Sequence, residues 1–400
     1  MNLFLQELRK IWRPGVLAAL VALGAVYYYI RPAFYIEYFN NGSQEQADFT
    51  LALDWVERYG PTIEQPEREE IGRRLAEEEA RFADYAEGNT EMASRGITDF
   101  DSFEAFNDIS YISDAAYQAA KERGDLALED HVLYSGETNY FTILELRRFL
   151  EAWDGEGLPD PEEGSFGKTR RLDELCRERV RTMREDRMGR SVLPPHVEFS
   201  TSTYVRYLAV WCVVSAILLL SPTLVRDRLH RMRPAQWASR RGRRILSVQF
   251  MAALVSGLLL TLLNIAIYMV PFVSTGVLAF WRCPLHAVLR SYPWFDWTYG
   301  QYLLALAGLV LALSLGASGL TAALSQYSGN YVAMLLKAIP LIVLLTVLGV
   351  LVTTFAFYFG NYVTRFLAFP GGEILCAALL LAIGLASCVL ACRAQRRREL

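Results

Sequence analysis

Chemistry by side chains needs acids, bases, nucleophiles or metal ligands that can be brought together, and this chain is poor in such sets. Four histidines occur, His131, His196, His230 and His286, far apart and never at the spacing that puts two imidazoles on one helix face. Of six cysteines, Cys212, Cys376, Cys388 and Cys392 lie within or beside long apolar runs. Cys176 and Cys283 are the two outside them, and either a disulfide or two free buried thiols fits that placement. Gly167-Lys168-Thr169 resembles the end of a phosphate-binding loop, but Glu162 stands where its first glycine belongs. The chain itself is therefore expected to be no enzyme and to hold no metal or cofactor. Asn264 and Lys337 are the deeper polar residues of the apolar runs, with Arg206 and Glu373 near run ends where they can reach an interface. No acid matches Lys337 in depth, which disfavours an ion-coupled carrier.

The elements that would carry any function are the apolar runs. The hydrophobic fraction is 53% in 400 residues, and six runs, at about 15–34, 204–225, 245–273, 301–324, 332–359 and 374–392, each reach the roughly 20 residues a helix needs to cross a bilayer. They are continuous rather than alternating, which points to helices and not barrel strands. The expected fold is an all-α integral membrane protein with six transmembrane helices.

Charge is strongly polarised along the chain. Residues 36–200 carry 38 acidic against 19 basic residues, and the remainder 5 against 21. Arg9, Lys10 and Arg13 precede the first run, eight arginines lie between Arg226 and Arg244, and Arg393, Arg396, Arg397 and Arg398 follow the sixth. Six crossings put all three basic clusters on one side, so the basic-side rule predicts both termini in the cytoplasm and residues 36–200 outside. The loop near 325–331 carries no basic residue to support this until Lys337. The first run is long for a signal peptide and no small-residue cleavage site follows it, so it reads as an uncleaved anchor.

Residues 1–13 form an expected interfacial elbow helix. Phe4, Leu5, Leu8 and Trp12, with Met1 and Ile11, recur at helical spacing, while Glu7, Arg9 and Lys10 take the other face. Pro14 then turns the chain into the first span at 14–35. Residues 36–200 read as one helical extracytoplasmic domain, with helices near 48–59, 67–87, 101–123, 138–153 and 169–188 separated by glycine and proline signals. Phe100, Phe103, Phe106, Tyr111 and Tyr117 are its aromatic core candidates, and Asp99 or Asp101 its helix cap. Its acidity is open to two readings: attraction of a cationic substrate such as an antimicrobial peptide, or solubility alone. In the fourth run, Gly308, Ala312 and Gly316 form a small-residue stripe suited to helix packing.

The second span is expected at 201–225, and the segment 226–244 follows it. Arg226, Asp227, Arg228, Leu229, Met232, Trp237, Arg240, Arg241 and Arg243 mix apolar side chains with cations, which suits either a groove on a partner protein or lipid headgroups. Spans three to six fill 245–392, and a basic tail closes the chain at 393–400.

This order of parts resembles the permease subunits of bacterial type II ATP-binding-cassette exporters, in a branch with a large extracytoplasmic insertion between spans one and two. Ser239-Arg-Arg-Gly-Arg-Arg-Ile-Leu246 is similar to the Ser-Thr-x-x-Gly-Arg pattern after the coupling segment of that branch, and Tyr299-Gly-Gln-Tyr302 to the opening of its span four. Ala238 precedes Ser239-Arg240, so the match is partial, and sequence motifs cover about 30 residues. The resemblance implies that a separate cytoplasmic ATPase, which would bring ATP and Mg, docks on 226–244. It also implies a second permease copy or a related permease in the bilayer, with no nucleic-acid partner, and export of a peptide, lipid-like or other small substrate. A peptide-sensing receptor or sensing permease that detects ligand through the acidic domain is the alternative.

Overall fold

The computed structural model describes residues 3–110, 113–163, 169–229, 245–289, 291–359 and 369–398, and among them regular structure is helical, without strands. Helices α1 (Leu3–Ile11) and α2 (Pro14–Ile30) are bent by 45° at the break between them. Pro14 is responsible: it starts α2, where a missing N–H costs nothing, and Arg13 before it is extended. The inter-span domain follows as α3 (Phe34–Glu37), α4 (Ser43–Arg58), α5 (Gln65–Gly88), α6 (Thr90–Ser94), α7 (Phe100–Ser110), α8 (Asp114–Arg123), α9 (Asp125–Tyr134), α10 (Tyr140–Asp154) and α11 (Arg170–Glu185). The chain then runs through α12 (Pro195–Leu220), α13 (Thr223–Leu229), α14 (Ile245–Val273), α15 (Tyr299–Gln326), α16 (Tyr331–Thr353) and α17 (Gly372–Arg398).

Among the described residues five helices are long and apolar enough to cross a membrane, or six if the bent α1–α2 pair counts as one. These correspond to the six apolar runs, and the chain has the character of a multi-pass membrane protein. α12 is central, packed against α2, α14, α15 and α16, while α17 lies along α15. Peripheral helices show what a lipid-facing surface requires: Val21 of α2 is 72% exposed and Leu336 of α16 69%, although both are apolar. Pro271 and Pro340 sit inside α14 and α16, where neighbouring helices and local adjustment tolerate them.

The closest packing is between α15 and α17, and it depends on glycine. A Cβ on Gly384 would lie 2.4 Å from the Gly316 carbonyl oxygen, and one on Gly319 2.6 Å from that of Gly384. Gly316 also approaches the backbone of Leu380. Gly308, expected to belong to this stripe, meets nothing within 4 Å, and Ala312 packs half-buried beside the main core. The contact has therefore moved one turn along α15, to Gly316 and Gly319 facing Gly384.

The inter-span domain contributes to three cores, one of which joins Cys176, Val180 and Met183 of α11 to Trp294 and Phe359. Phe82, Met92, Phe100, Phe103, Val132 and Tyr140 form another, which belongs to the domain alone. The third, with Phe49, Trp55, Ile71 and Leu146, is continuous with Tyr204, Phe272, Phe280 and Tyr299 of the bundle and the 274–298 loop. The domain is thus fused to the ends of the spans rather than tethered to them. The helix expected over 101–123 is two helices: Ser113 caps α8 through Ala116 N–H, so the chain restarts there. Asp99 supplies the cap of α7, accepting from Ser102 N–H at 2.8 Å, whereas Asp101 pairs with Arg147. Tyr117 is 39% exposed and is not a core residue; Tyr111 lies outside the described residues.

Candidate functional site

At the end of the bundle farthest from the inter-span domain, five helices meet in a buried polar network. Gln249 of α14 donates to Asp227 Oδ2 of α13 at 2.7 Å and to Glu7 Oε2 of α1 at 3.3 Å. Lys10 Nζ lies 2.5 Å from Glu7 and 3.8 Å from Asp227, so its ammonium faces both carboxylates. Glu7, Asp227 and Gln249 are all buried, and charges removed from water persist only when paired and hydrogen-bonded in this way. Arg226 donates to the Lys10 carbonyl at 3.3 Å, and Arg228 to that of Gln326 at 2.8 Å. Gln326 in turn donates to Gln395 of α17 at 2.9 Å.

This network places Arg226, Asp227, Arg228 and Leu229 at the start of the arginine-rich segment, with Leu229 exposed. Met232, Trp237, Arg240, Arg241 and Arg243 lie outside the described residues. Phe4 of α1 and Trp12 just after it pack against the cluster of Leu219, Leu220 and Phe250, and the Trp12 indole donates to Ser256 at 3.1 Å; Leu5 is exposed and Leu8 half-buried. The reading of Glu7 and Lys10 as a polar outer face does not hold for Glu7, which turns into the bundle because Lys10 and Gln249 satisfy it there.

Between α2, α12 and α14 a cavity of about 440 Å³ opens sideways through the apolar belt, within the range of small-ligand sites. Val21, Leu263 and Ile267 form much of its wall, and Tyr28 and Tyr268 its end nearest the domain. Its polar element is the pair Asn264 and Ser215, joined by a 2.9 Å hydrogen bond. Gly24 is needed beside it, since a Cβ there would lie 2.8 Å from the Trp211 ring. Tyr268 hydroxyl donates to the Gly24 carbonyl at 3.3 Å, tying the cavity's two sides together.

Near the domain end of the spans lies a second buried polar group that the sequence reading missed. Glu198 of α12 accepts from Ser291 Oγ at 2.9 Å, and Thr201 and Tyr299 share a 2.7 Å hydroxyl contact. Glu373 was expected at an interface; its side chain is instead fully buried, accepting from Phe357 N–H at 3.2 Å. Phe355 and Phe357 both have positive φ, a costly conformation for such residues, and Phe355 N–H is held by Ser202 Oγ at 2.8 Å. The signal that could have found Glu198 is its place in the first turn of α12, beside the Ser200-Thr201-Ser202-Thr203 run that leads into the apolar span.

Cys176 and Cys283 are free and buried, and burial pushes both thiols up to about 12, so neither is a reactive thiolate at neutral pH. Lys337 donates to the Tyr327 carbonyl at 3.1 Å, a cation at the C-terminus of α15. His131 pairs with Glu137 and His196 with Asp48 and Asn40, while His230 and the Gly167-Lys168 pair lie outside the described residues. Comparison with protein-family models, curated proteins and solved structures finds no match to this chain.

Proposed function

We propose that this chain is the permease subunit of an ATP-binding-cassette exporter, driven by a separate cytoplasmic ATPase that binds ATP and Mg and docks on residues 226–244. The observation that supports this best is the polar network at Glu7, Lys10, Asp227 and Gln249. It joins the base of the arginine-rich segment to α1 and α14, and Arg228 extends it to α15. A push on that segment would reach the spans as a rigid displacement, because close-packed helices shift between discrete arrangements rather than deform gradually. The bend between α1 and α2 fits an elbow lying in the cytoplasmic face of the inner membrane.

In this reading residues 36–200 are extracytoplasmic, a second permease copy or a related permease completes the pathway, and the cavity beside Asn264 contacts an amphipathic substrate. Cargo of peptide, lipid-like or other small type suits its mixed lining. The test is coexpression with candidate cytoplasmic ATP-binding-cassette ATPases from the same genome. Stoichiometric copurification is expected, and Arg240→Glu with Arg241→Glu should uncouple ATP hydrolysis from transport without unfolding the chain. Absence of the ATPase from the purified material, or unchanged transport by the double variant, overturns the assignment.

A further inference from the structure

Asp186 of the inter-span domain converges with His286 and Asp296 of the 274–298 loop, the two carboxylates exposed and the imidazole half-buried, and one ligand atom from each lies within 4.8 Å of the others. Asp186 follows α11 as its C-cap, and the chain beyond it hooks onto the loop: Gly189 and Ser191 N–H groups both donate to the Ala287 carbonyl, at 2.8 and 3.0 Å. Gly189 has φ +92°, and a Cβ there would strike the Ala152 carbonyl oxygen, so the hook is a constrained feature and not a chance approach. It sets Asp186 close to His286.

His286 Nδ1 is 3.7 Å from Asp296 Oδ1, beyond a hydrogen bond but near the separation of two ligands sharing one ion at about 2.0–2.2 Å from each. That nitrogen is buried and has no hydrogen-bond partner, which is costly for an imidazole unless something is accepted there. Arg179 donates to the Pro293 carbonyl at 2.9 Å and pairs with Asp296. Its guanidinium bonds the same Oδ1 that faces His286, which orients that carboxylate, and as a neighbouring positive charge it lowers the affinity for a dication.

We infer that Asp186, His286 and Asp296 form a binding site for one divalent cation of the zinc class, which staples the inter-span domain to the loop between α14 and α15. One nitrogen and two carboxylate donors suit zinc and its first-row neighbours, and three protein ligands leave a position for water. The site is independent of the transport reading and requires no ATPase.

The test uses the full chain, purified in detergent through a histidine-free tag and stripped with chelator, then titrated with zinc against a chromophoric competitor. One zinc per chain is expected, with affinity lowered at least about tenfold in His286→Ala and in Asp296→Asn, and unchanged in His131→Ala and Cys176→Ser. Zinc should raise the Tm of the wild type and not of His286→Ala. Should the variants fold poorly, cobalt(II) absorption of the wild type decides: nitrogen and oxygen ligation supports the site, and a thiolate charge-transfer band overturns it. Unaltered affinity in folded His286→Ala, or no bound zinc in the wild type, overturns it as well.

Discussion

The side-chain amide of Gln249 on α14 donates to the Asp227 carboxylate on α13 at 2.7 Å, with both groups buried at the far end of the bundle. The bond crosses from the helix that begins the arginine-rich segment to the span that follows it. Gln249→Leu removes that donor and leaves Lys10, at 3.8 Å, as the ion-pair partner of Asp227 among the described residues. A loss of about 1–3 kcal/mol is expected, the usual result of stranding a buried acceptor. Gln249→Glu, which sets a third carboxylate among two, should be worse. Thermal unfolding in detergent measures both, and equal stabilities for wild type and Gln249→Leu would refute the arrangement.

Substitutions at two glycines of the bundle should part company. Gly384→Ala directs a methyl at the Gly316 carbonyl, 2.4 Å away, where backbone must move. Overpacking of this kind costs about 1–3 kcal/mol. Gly308→Ala meets open space and should be neutral or stabilising by up to about 1 kcal/mol, since alanine favours helix. Unfolding midpoints of the two variants, compared in one detergent, check the pair; the same loss at both positions would contradict the α15–α17 contact.

The inter-span domain should weaken in acid through Asp125. Burial opposes its ionisation, but Arg95 and Arg123 outweigh that effect and hold the carboxyl below its usual range. A depressed folded value means stability present above the unfolded carboxylate pKa, near about 3.9, and lost as pH falls through the folded one. Hydrogen exchange over α9 between pH 6 and pH 3, values chosen to span roughly that range, should show protection falling below about pH 4. In Asp125→Asn the protection should be lower at neutral pH and less dependent on acid. A flat profile in the wild type would exclude the mechanism.

Filling the cavity between α2, α12 and α14 should block access without unfolding the chain, because it opens to one side. Ala25→Trp puts an indole into the space lined by Val21 and Leu263. Photolabelling of those two residues by an alkyl diazirine is expected to drop, with stability unchanged within about 0.5 kcal/mol, the ordinary effect of a surface change. Undiminished labelling would mean that the cavity is not the route to them.

The apolar runs were legible because spanning length is a one-dimensional property: enough consecutive apolar residues must form a helix in lipid whatever their neighbours are, and Pro14 and the glycine and proline breaks set boundaries locally. Side-chain placement was a different matter. Glu7 lies on the polar face of an amphipathic pattern and Glu373 beside a helix end, yet both are buried, because Gln249 reaches Glu7 from a distant helix and the chain folds back to bring Phe357 N–H onto Glu373. Gly319 and Gly384 likewise face each other only once α15 and α17 are packed. Local composition determines which segments become helices. Which polar groups leave water, and which histidine meets two aspartates, depends on long-range partners that satisfy them, and only the tertiary structure decides that.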